Sequence, residues 1–247
     1  GGIENKMKII KATEITNPQG TYLIYGNPGV GKTSTLKYLD GKTLVIDIDK
    51  TSHVLKGSQN IDIYKLDTAN AWQDWENTVM EVVKMDYDNI VIDNITELER
   101  AFLGQLGGEG KNNGVPSMAN YQQVQFRLIR SLRYLKNANA KIILTAWETT
   151  EDFTDADTGQ TFTMAIPDIQ RKIRNNVMGL CDVVARLVVS KDTDGNITRG
   201  FYLQPTRTIF AKNQLDNRTG CRQDELFIKR LPKTDDKTGQ RGVPQGQ

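Results

Sequence analysis

Gly26-Asn27-Pro28-Gly29-Val30-Gly31-Lys32-Thr33 fits the pattern G-x-x-x-x-G-K-[ST] without a gap. Its surroundings suit it: Thr21 to Tyr25 reads as a buried strand and Ser34 to Leu39 as a helix. Between them the glycines let the backbone curl so that successive N–H groups point at one centre, where the positive end of the following helix adds to the field. A cradle of this kind, here Gly26 to Ser34, takes the phosphates of a nucleotide. Lys32 would reach the β- and γ-phosphates, and Thr33 would offer its hydroxyl to Mg²⁺. The competing reading is a glycine-rich turn that fits by accident, and that turn has no need of the flanking strand and helix.

Downstream, Asp40-Gly41 closes the helix, and Leu44-Val45-Ile46-Asp47-Ile48-Asp49 is an apolar strand that finishes in carboxylates. Ile61 to Leu66 is another short strand. Asp67 or Thr68 then caps a helix in which Trp72, Trp75, Val79 and Val82 recur at three- and four-residue spacing, so both tryptophans read as core. Tyr87-Asp88-Asn89-Ile90-Val91-Ile92-Asp93 is an apolar strand ending in an acid, the form of the Walker B motif. Asp93 is the expected partner of Mg²⁺, through water.

Residues 104–114 hold five of the chain's 21 glycines beside Asn112 and Asn113, and they read as a mobile loop. Tyr121, Val124, Leu128, Leu132 and Leu135 mark one face of a helix; Lys141 to Ala146 starts a buried strand that ends near Trp147-Glu148. Because strands and helices alternate, an α/β fold with a mostly parallel central sheet flanked by helices is expected. Beyond Glu148 the pattern changes. Glu151 to Ile166 alternates about Asp157-Thr158-Gly159-Gln160 as a protruding hairpin would, and Asp168 to Met178 reads as helix. Val183–Val189 and Ile197–Leu203 flank Asp194-Gly195-Asn196 and read as an antiparallel hairpin extending the sheet.

These elements imply a lead-in over residues 1–20, one α/β domain over 21–228 and a basic, disordered tail over 229–247, the last with five basic and two acidic residues. Gly1-Gly2 lacks an initiator methionine and reads as an expression remnant. With 247 residues, 38% of them hydrophobic, the chain can bury a sizeable core. Thirty-two basic residues against 30 acidic give a net charge of +2, so any nucleic-acid contact must come from a local patch. Cys181 and Cys221 are far apart and suggest neither a disulfide framework nor a zinc site; free thiols in a reducing cytoplasm are expected. No apolar run approaches membrane-spanning length, so no membrane partner is expected. A guanine-reading N-K-x-D element is missing as well, which favours ATP.

The residue after the Walker B acid separates the nucleotide-binding families. AAA+ proteins usually place a water-polarising glutamate there, whereas here Asn94 occupies the position and carboxylates stand instead at Asp47 and Asp49. In this, and in element order from about Thr21 to Lys212, the chain resembles the RecA-like P-loop ATPase core. The runs Leu44 to Lys50, Pro167-Asp168-Ile169 and Phe210-Ala211-Lys212 are similar to those of small phage-encoded nucleotide-binding proteins that include single-strand annealing ATPases. The resemblance implies that Asp49 stands where the catalytic glutamate base stands, and Glu148 where a glutamine senses the γ-phosphate. It places Lys212 where a basic residue enters a neighbouring subunit's nucleotide, and residues 104–118 and 149–167 where two loops hold single-stranded DNA. It further implies a homo-oligomer with nucleotide between subunits, and single-stranded DNA-binding protein as a companion.

Each assignment has a duller competitor. Asp49 caps the turn at Lys50-Thr51 equally well and is one methylene shorter than glutamate. Glu148 puts a charge where an amide is expected, leaving Thr145 as the alternative contact. Lys212 also reads as a solvated lysine. Glu151, Asp152, Asp155 and Asp157 make the second loop acidic, so DNA there would need Phe153 or Phe162 for stacking and Arg171, Lys172 and Arg174 for phosphates. His53 is solitary and reads as a surface residue. Two further function classes stay open: a nucleotide-switched loader or regulator that binds protein partners, and a small-molecule kinase, against which the missing arginine-rich lid speaks.

Overall fold

A computed structural model of the chain describes residues 9–14 and 19–228. The expected tail at 229–247 and much of the lead-in lie outside those residues.

The chain enters through β1 (Thr21–Gly26), turns through the phosphate loop into α1 (Lys32–Thr35) and returns as β2 (Thr43–Asp47) and β3 (Ile61–Lys65). Helix α2 (Ala71–Val82) leads to β4 (Asn89–Asp93), which feeds α3 (Ile95–Glu109) and α4 (Met118–Leu135). Next come β5 (Lys141–Thr154), β6 (Thr161–Pro167) and α5 (Arg171–Leu180). Strands β7 (Val183–Lys191), β8 (Ile197–Tyr202), β9 (Lys212–Asn213) and β10 (Gly220–Arg222) complete the described chain.

The strands form one sheet in the order β10-β8-β7-β1-β5-β4-β2-β3, with β6 added to β5 and β9 to β7. From β7 to β3 every neighbour is parallel, while β8, β10, β6 and β9 join antiparallel. The fold is therefore α/β with a mostly parallel sheet and antiparallel hairpins, as read from the alternation. Strand β5 lies between β1 and β4, so the end of the phosphate-loop strand and the Walker B acid face each other across Thr145.

Strands β1, β2 and β4 and the first halves of β5 and β7 are buried on both faces. Leu23, Tyr25, Ile46, Ile92 and Leu144 point to the side covered by α2, α3, α4 and α5, while Tyr22, Ile24, Val45, Val91 and Ile143 point to the side covered by Leu36, Leu39, Leu55, Leu226 and Phe227. Alternation along each strand thus fills two cores, the arrangement that parallel strands require. Trp72 and Trp75 are core residues, both packed edge-on against Phe102.

Three local expectations are corrected. The helix after the phosphate loop begins at Lys32 and tightens into a 3₁₀ turn over Leu36–Tyr38. Tyr121 is 37% exposed and not part of the buried face of α4, which includes Ile129 instead. Residues 104–109, read as loop, continue α3: Leu103 and Leu106 pack on the core, and Gln105 accepts the Trp72 amide at 2.9 Å. A side chain on Gly107 would press on the Gly114 carbonyl and Pro116, so one of these glycines is a packing residue inside a helix. Among the described residues no helix is long and apolar enough to cross a membrane.

Candidate nucleotide-binding site

The phosphate loop sits at the carboxyl end of β1, at the crest of the parallel sheet, where open α/β sheets bind ligands. Asn27, Pro28 and Gly29 form its exposed rim; Val30, Gly31, Thr33 and Ser34 are half-buried. Gly29 and Gly31 have φ of 77° and 107°, a left-handed backbone that side chains rarely adopt. Gly26 is fixed by space instead, since a Cβ there would lie 2.8 Å from the Leu187 carbonyl.

Lys32 is 8% exposed, and its Nζ donates to the carbonyls of Gly26 and Asn27 at 2.8 and 2.9 Å. Burial lowers its pKa, while Asp93, Asp49 and Glu148 pull it back up. The ammonium is thus held inside the loop by neutral carbonyls that a phosphate can outbid, because an acceptor with a full negative charge binds the cation more strongly than a carbonyl dipole.

Two distant residues brace the loop. Arg199 on β8 donates from Nε to the Val30 carbonyl at 2.9 Å, and Gln223 donates from Nε2 to the Gly31 carbonyl and the Thr35 hydroxyl, each at 3.0 Å. Sequence reading missed both, and nothing near the loop in the chain signals them.

Thr33 and Asp93 meet as expected: the Thr33 hydroxyl donates to Asp93 Oδ2 at 2.7 Å, and Thr145 donates to Oδ1 at 2.6 Å. Thr145 is therefore engaged with the Walker B acid. Burial raises the pKa of Asp93 despite these two donors. Its register partner across β2 and β4 is Asp47, 1% exposed, whose two carboxylate oxygens have no hydrogen-bond partner. Adjacent buried carboxylates with so few donors are costly unless a cation joins them. This is the observation by which the site fits Mg²⁺ shared with nucleotide phosphates. Thr33 and Asp93 are the residues to hold it, Asp47 adding charge behind them. Among the described residues no group of three or more His, Cys, Asp or Glu could hold a metal alone, and magnesium at phosphates usually needs only one or two protein ligands.

Asp49 lies beyond the end of β2 and accepts from Asn94 Nδ2 at 3.0 Å. Burial raises its pKa first, then the charges of Asp93 and Glu97, against a lowering hydrogen bond from the Trp147 side chain. Asn94 also caps α3 by accepting the Glu97 amide at 2.7 Å, so the residue in the AAA+ glutamate position orients Asp49 and starts a helix at once.

Glu148 makes a bidentate ion pair with Arg186 of β7, at 2.8 and 2.7 Å. The charge that made a sensor role doubtful is neutralised by a partner that sequence reading missed. With side-chain exposures of 6% for Glu148 and 21% for Arg186, removing one ion strands the other. Arg186→Ala is expected to cost about 3–5 kcal/mol in denaturant unfolding, with Glu148→Leu restoring part of it; a loss below about 1 kcal/mol would contradict the pairing.

Lys212 is not near the loop. It pairs with Val184 near the start of β7, and its Nζ sits on the carbonyls of Cys181 and Met178 at 2.6 and 3.3 Å, where it caps the end of α5. That engagement gives Lys212 work in its own chain and no support to the intersubunit role. His53 is exposed, as expected.

The base of the β5–β6 hairpin is wired to the site. Thr96 of α3 donates to the Asp168 carbonyl at 2.8 Å and accepts the Trp147 amide at 3.0 Å. Arg100 stacks 4.5 Å from the Trp147 ring centroid and binds Asp168 at 3.1 Å. Beside it, buried Glu99 accepts the Gln170 amide, and burial pushes its pKa up to about 8 from 4.5. Between those two pH values the folded chain keeps a proton that the unfolded chain has released, so stability falls as pH rises through the window. Glu99→Gln keeps the acceptor and cannot ionise; its melting temperature is expected to change less than the parent's between about pH 5 and about pH 8. Parallel profiles would show that Glu99 is not protonated in the fold.

A family model described as an AAA domain matches residues 19–215. No curated protein matches the chain. The matched span takes in the whole parallel sheet, the phosphate loop and the Walker B acid, and covers well over half of the sequence; the chain belongs to the AAA domain family of P-loop ATPases.

Proposed function

We propose that this chain is an ATP-binding, slowly hydrolysing ATPase with a RecA-like core, phage-encoded, that binds single-stranded DNA and assists annealing or recombination. The observation that carries the reading is the meeting of Lys32, Thr33, Asp93 and Asp49 at one end of the sheet. Lys32 binds the terminal phosphates, and Asp49, held by Asn94 and Trp147, orients the attacking water. When bound, Mg²⁺ supplies charge neutralisation on the phosphates. The short Asp49 side chain makes hydrolysis slow.

Support for coupling comes from the chain of contacts from Asp49 through Trp147 and Arg100 to Asp168, which joins the phosphate end to the hairpin base. ATP would bias that link, and DNA affinity would change with it. The test is affinity for a labelled single-stranded oligonucleotide with and without ATP and magnesium. Tighter binding with ATP supports the reading, and negligible binding in both removes its DNA half.

A second reading, a nucleotide-switched loader or regulator contacting proteins, is favoured by the hairpin's ion pairs. Glu151 takes up both Arg171 and Arg174, so two cations expected to meet phosphate are already neutralised. Under that reading Lys32→Ala lowers partner binding, and DNA binding is not seen in the parent.

A further inference from the structure

We infer that single-stranded nucleic acid lies along the outer face of α4 and the start of α5, on Arg127, Arg130, Arg133 and Lys172, with Phe126 as a stacking platform. The inference rests on the DNA-binding reading above and relocates its contact away from the acidic hairpin.

Charge is sharply segregated in this chain. Residues 110–147 contain six basic residues and no acid, and residues 169–181 contain three basic residues and no acid. The rest is left with 23 basic residues against 30 acidic ones, so a nearly neutral chain carries its excess positive charge on two segments, six of whose nine cations lie on α4 and α5, which pack together. Such asymmetry is the footprint of a polyanion partner.

The geometry agrees. Arg127, Arg130 and Arg133 recur every three residues along one exposed side of α4. Arg130, Arg133 and Lys172 form no ion pair among the described residues, and Arg127 is steadied 4.4 Å from the Trp72 ring centroid. Two open grooves, of about 710 and 700 Å³, run on either side of this row and share all three arginines. Among the residues lining them Glu76 is the single carboxylate. Phe126 is 80% exposed in the groove beside Lys172, and Tyr134 is 41% exposed in the other. Alternating cations and exposed rings are how proteins hold single strands without reading sequence. The hairpin offers less: Phe162 is half-covered under Arg207, and Glu151 occupies Arg171 and Arg174.

The test uses the full chain and a labelled 30-nucleotide oligothymidylate, read by fluorescence anisotropy over a range of salt. The Arg130→Ala/Arg133→Ala/Lys172→Ala variant is expected to bind on the order of 100-fold more weakly at about 0.1 M salt, with the log–log salt slope reduced by about 2. Phe126→Ala is expected to lose about tenfold with little change of slope. Unaltered ATP affinity in the variants shows that they are folded. If the parent binds and the triple variant binds within threefold at an unchanged slope, the inference falls while the DNA reading stands. It also falls if Phe153→Ala alone removes binding, or if the triple variant loses only self-association in sedimentation. A parent chain that binds no oligonucleotide sinks both.

Discussion

Replacing Lys32 with alanine is expected to weaken ATP binding by about 100-fold, roughly 3 kcal/mol, the upper range for a hydrogen bond to a charged group. Hydrolysis is expected to fall by a further factor of about 100 to 1,000, as when one donor to a developing charge is removed. The expectation follows from position: the ammonium is buried, anchored on two loop carbonyls, and already surrounded by the carboxylates of the site. A fluorescent ATP analogue and a phosphate-release assay read the two effects separately. Lys32→Met also loses the bonds to Gly26 and Asn27 but keeps most of the buried stem, so it should bind as weakly while melting closer to the parent. Parent-like affinity in both variants would show that the phosphates lie elsewhere.

The second large effect is expected at Asp49. Asp49→Asn should lower the hydrolysis rate about 100- to 10,000-fold, the usual worth of a positioned base, while ATP affinity changes little. Asp49→Glu should raise the rate above the parent's, since it restores the length that the RecA-like resemblance calls for. Burial and the neighbouring Asp93 raise the Asp49 pKa, so the base is lost by protonation at a higher pH than an ordinary aspartate would be. The rate should accordingly fall earlier on acidification than a normal carboxylate predicts. If Asp49→Asn left hydrolysis intact and Asp47→Asn abolished it, the base would be the buried, unpartnered carboxylate at the end of β2.

Most of the architecture was legible because its signals are local. The phosphate loop, the two acid-ended strands β2 and β4 and the alternation of strands with amphipathic helices are runs of fewer than about twenty residues, and each carries its own period or turn chemistry. Misread elements are those decided by tertiary contact. Gly104, Gly107 and Gly108 have poor helix propensity, yet α3 runs through them because Leu103 and Leu106 reach the core and Gly107 lets Pro116 close in. The site was half legible for the same reason. Lys32, Thr33 and Asp93 announce themselves, whereas Arg199 and Gln223 reach the loop across 169 and 192 residues. Arg186, too, becomes informative only when β7 is seen beside β1. Lys212 shows the converse: a motif-like position whose contact within the chain, the cap on α5, no local signal announces.

Asn94 carries the sharpest difference from the usual AAA+ arrangement. It holds Asp49 with one end of its amide and starts α3 with the other, so under the proposed mechanism the water-orienting carboxylate follows β2 and the Walker B neighbour only positions it. Asn94→Glu should therefore place a second carboxylate against Asp49 and lower hydrolysis rather than improve it.

Every role proposed for Lys32, Thr33, Asp93 and Asp49 requires a triphosphate bound at the loop between β1 and α1. Titrating the full chain with ATP in the presence of magnesium, in a calorimeter, tests this most directly. One saturable site per chain, lost on magnesium removal or in Lys32→Ala, is the predicted result. No measurable heat from any purine triphosphate, at several temperatures, would contradict it.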